Sequence, residues 1–123
     1  MEVIFKDESF KIIGCCIEVY NTLGKGFSEI VYKDALEYEF KKQDIPYERE
    51  KEYLIRYKDI VLPHKYNADF IVYEKIILEV KAVEALTRSH KKQALNYLAA
   101  SKLKLALIIN FGEDSLKHER VVL

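Results

Sequence analysis

An α/β domain built on a mixed sheet follows from three features of the sequence. Apolar residues recur at three-and-four spacing in two stretches before Pro46, the pattern of amphipathic helices. From Tyr47 to Val83 the chain instead carries tyrosine-rich alternation and then β-rich runs of strand length. A third helical stretch then leads into the apolar run Leu103 to Phe111, and a strand reached through a helical crossover pairs in parallel with a neighbour, the crossover being right-handed.

The first helix is read from Glu8 to Leu23, with Ile12, Ile13, Cys16, Val19, Tyr20 and Leu23 on its buried stripe, and it stops at Gly24-Lys25-Gly26. Ser28 caps a second helix whose stripe is Val31, Tyr32, Ala35, Leu36 and Phe40, and Pro46 forces its end. Tyr47 to Tyr57 alternates charges and carries tyrosines, as suits a half-exposed antiparallel strand, and Lys58-Asp59 forms a turn. After Pro63, "KYNADFIVY" and "IILEVKAV" read as a hairpin joined near Glu74-Lys75. Thr87 caps a third helix, Arg88 to Ser101; the strand Leu103 to Phe111 ends at Gly112, and "ERVVL" adds an edge strand.

The chain of 123 residues is half hydrophobic and a third charged, with two prolines and four glycines, so residues 1–123 are expected to form a single domain without disordered linkers. A formal net charge of zero removes any global attraction to nucleic acid or anionic membrane, so a binding surface has to be local. The first ten residues lack the layout of a signal peptide and no apolar run approaches membrane-spanning length, which implies a soluble, cytoplasmic protein with no membrane partner. Cys15 and Cys16, adjacent on a helix, read as reduced core residues, and His64, His90 and His118 lack the close spacing of a histidine metal site. "GKG" lacks the spacing of a phosphate loop.

The stretch "ILEVK" carries the chemistry. Glu79 and Lys81 are two apart and share one strand face, while Leu78 and Val80 share the other and hold the strand to the core; only that one face is expected to be buried. A solvated strand face with a weak ion pair produces the same triplet. Asp69 sharpens the reading, because aspartate is a poor strand former and interrupts the preceding strand. A two-residue turn at Glu74-Lys75 pairs position 69 with 80 and separates the carboxylates, whereas an odd-length connection or a bulge brings Asp69 and Glu79 together; the latter is the arrangement expected. Two carboxylates about 4 Å apart repel by roughly 4 kcal/mol at an effective dielectric near 20, which a hard cation such as Mg²⁺ or Mn²⁺ offsets. The Val80 carbonyl offers a further oxygen, and Lys81 is placed to orient a water or stabilise charge on a phosphate.

Asp on one strand and E-x-K on the next resemble the PD-(D/E)XK nuclease superfamily, with its restriction-endonuclease-like core. "GFSEIVY", with Gly26, Glu29 and Tyr32, resembles the signature of the GxxExxY protein family, a branch of that superfamily; the likeness continues through "NADFIV", "ILEVKAVEAL", "HKKQALNYL" and "LALIINFG". The resemblance implies a divalent-metal-dependent nuclease acting on DNA. It makes Asp69, Glu79 and Lys81 the catalytic set, with Glu29 as a further catalytic and metal-binding acid from the helix before the sheet. It also places Gln93 and Tyr97 as a Q-x-x-x-Y element on the helix lining the site. From the residues alone, Glu29 is equally an acid at the positive end of a helix dipole, and Gln93 and Tyr97, on one face with His90, are equally boundary residues. Arg88, His90, Lys91 and Lys92 could touch phosphates at the rim, or form a solvated helical turn.

Two other readings stay open. One is a binding or assembly module that keeps the acidic site but works as a homodimer or through a protein partner; the neutral net charge and small size motivate it. The other is a structural domain in which the polar set is a buried ion-pair network.

Overall fold

In the computed structural model, which describes residues 3–123, the elements run α1 (Lys6–Leu23), α2 (Glu29–Lys42), β1 (Tyr47–Tyr57), β2 (Ile60–Val72), β3 (Ile76–Lys81), α3 (Arg88–Ser101), β4 (Leu105–Asn110) and β5 (Lys117–Val122). The five described strands form one mixed sheet in the order β1-β2-β3-β4-β5. Only β3 and β4, joined through α3, pair in parallel; β5 closes the far edge antiparallel to β4. No helix among the described residues is long and apolar enough to cross a membrane.

Side-chain alternation in β3 and β4 sorts the core onto both faces of the sheet. Ile76, Leu78, Val80, Leu105, Leu107 and Ile109 pack with the stripes of α1 and α2, including Ile12, Cys16, Leu36 and Phe40. Ile77, Ala106 and Ile108 pack with Ala94, Tyr97 and Leu98 of α3. The expectation that β3 buries one face therefore does not hold. A central strand covered by helices on both sides has no solvated face, and Glu79 is only 3 % exposed. Cys15 and Cys16 are free thiols in the α1 core, and burial pushes both thiols up, Cys15 to about 11.

Two departures at β2 have simple causes. The strand begins at Ile60, ahead of Pro63, because the β1–β2 pairing shifts register between Leu54 and Arg56, and the shift leaves Leu62, Pro63 and His64 outside the paired ladder, where a residue without an N–H is tolerated. The second departure lies closer to the site. Tyr66 and Ala68 pack toward α3, but Phe70 and Val72 pack toward α1 and α2, so the alternation of faces breaks at Asp69. On β1 the same switch separates Tyr47 from Tyr53, with Glu50 in the left-handed region at φ 57°. Both strands skip at one level, so Arg49↔Phe70 and Lys51↔Ala68 stay in step across the break.

The β2–β3 connection sets the register that matters. Val72 pairs with Ile76, leaving the odd-length loop Tyr73-Glu74-Lys75, with Tyr73 and Glu74 at φ 57° and 59°. Phe70 stands opposite Leu78, so one step further Asp69 is level with Glu79.

Candidate active site

At that level the ladder between β2 and β3 gives way to side chains. The Asp69 N–H donates to Glu79 Oε1 at 3.3 Å, and the Val80 N–H donates to Asp69 Oδ2 at 2.8 Å. Each carboxylate thus takes a backbone donor that strand pairing would otherwise have used, which holds both acids at the point where the strands part. In an extended strand the N–H and C=O of one residue face the same edge, so the Val80 carbonyl also faces Asp69. The Lys81 carbonyl faces the other way and accepts from the Phe111 N–H at 2.8 Å.

Burial pushes the Glu79 carboxyl up to about 9, helped by the neighbouring Asp69 charge and a hydrogen bond shared with Asp69. Burial and the adjacent Asp69 charge thus both favour the neutral form of Glu79. Among the described residues no three histidine, cysteine, aspartate or glutamate side chains gather closely enough to hold a metal between them. Two carboxylates and one carbonyl nevertheless suit Mg²⁺, which keeps most of its waters and is held by one or two carboxylates together with phosphate oxygens.

Two side chains that sequence reasoning missed complete the cluster. Lys33 of α2, 8 % exposed, donates to Asp69 Oδ1 at 3.0 Å and also to Glu50. Desolvation works against its charge, but the hydrogen bonds to Glu50 and Asp69 outweigh it and hold the ammonium above its ordinary range. Signals for both existed: Lys33 is one helical turn after Glu29, and Glu50 faces Asp69 once the β1–β2 register is known. Neither could be found before that register was fixed.

The other sequence-derived residues are distributed as follows. Lys81 Nζ donates to Gln93 Oε1 at 3.0 Å, tying β3 to α3. Tyr97 is 7 % exposed, and burial pushes its phenol up to about 12, with the charges of Glu79, Asp69 and Glu50 adding to the shift. Its ring meets Tyr66 edge-on at 5.6 Å. His90 sits at the start of α3, where its Nδ1 accepts from the Thr87 N–H at 3.0 Å as part of a capping box. Glu29 opens α2, half-buried, and makes no hydrogen bond or ion pair among the described residues; Lys33, four residues on, shares its helix face.

What fixes the start of α2 is Tyr32. This fully buried tyrosine donates to the Gly24 carbonyl at 2.7 Å, accepts from the Phe27 N–H at 3.2 Å and stacks on Phe111 at 4.4 Å. The loop it pins contains Gly26 at φ 115°, a conformation that favours glycine. Gly26, Glu29 and Tyr32 are therefore one local unit: a turn, the first helical residue and the side chain that locks them.

The exit from β3 is equally constrained. Fully buried Asn110 accepts from the Val83 N–H at 3.0 Å and donates to the Val83 carbonyl at 2.9 Å. A Cβ on Gly112 would lie 2.4 Å from the Val83 carbonyl oxygen, so only glycine allows this approach two residues beyond Lys81.

The sequence pattern of the PD-(D/E)XK nuclease superfamily matches residues 6–121. The chain belongs to that superfamily. No curated protein is similar enough to count as a match. Among solved structures, one described as "Crystal structure of SSO0001" is 22 % identical and superposes with a TM-score of 0.62, over 75 % of this chain and 48 % of that one. The likeness is one of fold, and the chain spans about half the length of that structure.

Proposed function

We propose that this member of the PD-(D/E)XK superfamily is a divalent-metal-dependent nuclease of the GxxExxY branch that hydrolyses phosphodiester bonds, with DNA as substrate. The observation that carries this reading is the Asp69–Glu79 pair at the parting of β2 and β3, in which Glu79 is buried and each carboxylate accepts a backbone N–H from the facing strand. Such a pair costs stability in a structural role and gains a purpose when a cation completes it.

Asp69, Glu79 and the Val80 carbonyl would hold Mg²⁺ or Mn²⁺, with Glu29 acting from the adjoining helix through bound water. When bound, the ion supplies Lewis-acid polarisation of the phosphate and lowers the pKa of a coordinated water. Lys81, bonded to Gln93, orients the attacking water and neutralises charge on the phosphate. Tyr97 walls the site and, with Gln93, orients the substrate. His90 has its Nδ1 committed to the cap, so its Nε2 is the atom left to contact a phosphate. A cytoplasmic location suits such an enzyme.

A second reading, a nuclease-fold module that acts with a protein partner or as a homodimer, draws support from the zero net charge and from the chain's spanning about half of the matched structure. Incubating purified protein with single- and double-stranded DNA and RNA, with and without Mg²⁺ or Mn²⁺, beside Asp69→Ala and Lys81→Ala, separates the two. Metal-dependent cleavage lost in both variants supports the enzyme; equal activity in all three proteins refutes this site.

A further inference from the structure

Beside the acidic site, a groove of about 550 Å³ runs between α3 and the β2 strand. Arg88, Lys92 and Asn96 line it from α3 at successive four-residue steps, so they form one stripe along the helix; His64 and Tyr66 line it from β2. Gln93 also lines it, and Gln93 is the residue that accepts from Lys81. Gln93 is thus the residue the groove and the acidic site have in common.

Charge and aromatic content set this groove apart. No acidic residue lines it. Among the described residues neither Arg88 nor Lys92 forms an ion pair, so both cations are free to meet an anionic ligand in the groove. His64 meets Tyr66 at 5.1 Å and Tyr66 meets Tyr97 at 5.6 Å, a run of rings from the groove mouth to the acids. Unpaired cations at helical spacing facing a run of aromatic rings are the two components of single-strand recognition, one for phosphates and one for base faces.

We infer that this groove holds one strand of single-stranded nucleic acid and feeds it past Gln93 to the acidic site. The inference rests on the nuclease reading for its direction, but binding is separable from cleavage. Arg88 and Lys92 contact phosphates, and Tyr66 offers its ring to a base.

Fluorescence anisotropy of a labelled oligothymidylate of about 12 nucleotides, in EDTA so that no metal-dependent cleavage occurs, tests this against a duplex of equal length. Wild type is expected to bind the single strand more tightly than the duplex. Arg88→Ala/Lys92→Ala should weaken single-strand binding about 10-fold and make the slope of log affinity against log salt shallower by about 1.4, the loss of two phosphate contacts. No detectable binding, tighter duplex binding, or an unchanged affinity and slope in the double variant would overturn the groove assignment. Metal-dependent cleavage alongside such a failure leaves the hydrolase standing; single-strand binding without cleavage in Mg²⁺ does the reverse.

Discussion

Replacing Glu79 by glutamine tests the state of the acidic pair without removing its shape. Glu79 has its carboxyl pushed up from 4.5 to about 9, chiefly by burial and secondarily by Asp69, so the folded protein retains a proton that the unfolded chain has released. Stability is then complete below pH 4.5 and falls as pH rises toward 9, because the folded state binds more protons over that window. At pH 7 the interval above 4.5 is about 2.5 units, worth about 3 kcal/mol at 1.36 kcal/mol per unit. Glutamine presents the same oxygen to the Asp69 N–H and an amide donor to the Asp69 carboxylate, yet cannot ionise. Glu79→Gln should therefore be more stable than wild type by about 3 kcal/mol at pH 7 in EDTA, and nearly equal to it at pH 4.5. Urea unfolding at pH 4.5, 6, 7 and 8.5 reads both curves, with wild type declining relative to the variant by about 1.4 kcal/mol per pH unit. Parallel curves, or a variant less stable than wild type at pH 7, would show that Glu79 is ionised in the folded state and refute the argument from its raised pKa.

Other perturbations act on separate parts of the site. Lys33→Met removes the ammonium that binds Asp69 and Glu50, so the metal-free protein should lose about 2 kcal/mol in urea unfolding while Mn²⁺ binds more tightly by calorimetry, Asp69 having lost its competing cation. Gln93→Ala frees Lys81 and should lower the rate of DNA hydrolysis about 10-fold with Mn²⁺ affinity unchanged. Asn110→Ala leaves the Val83 N–H and carbonyl without their partner and should cost about 1–3 kcal/mol, read as a lowered Tm.

Much of the fold is legible because its elements are locally consistent. Tyr47–Tyr57 and Arg88–Ser101 have the same limits in sequence and structure, since tyrosine-rich alternation, a flanking turn and the Thr87 cap all agree. Whether Asp69 and Glu79 meet is a question of register that the odd-length Tyr73–Lys75 loop answers. The double burial of β3 was harder to read, because "ILEVK" alternates like a half-exposed strand; its second cover, α3, arrives from a later segment. Lys33 and Glu50 were invisible for a similar reason. A buried lysine on α2 reads as an ordinary polar position until α2 is laid over the break in β1 and β2. Asn110 hides inside an apolar run, and only its bonds to Val83 show its role at the exit of β3.

The most direct test of the metal site is calorimetric titration of Mn²⁺ into wild type, Asp69→Ala, Glu79→Ala and Lys81→Ala at pH 7. Binding by wild type and Lys81→Ala, with none in Asp69→Ala or Glu79→Ala, is the result expected if the two carboxylates hold the ion and Lys81 serves the reaction rather than the metal. Equal Mn²⁺ affinity in all four proteins, or none in wild type, would contradict it.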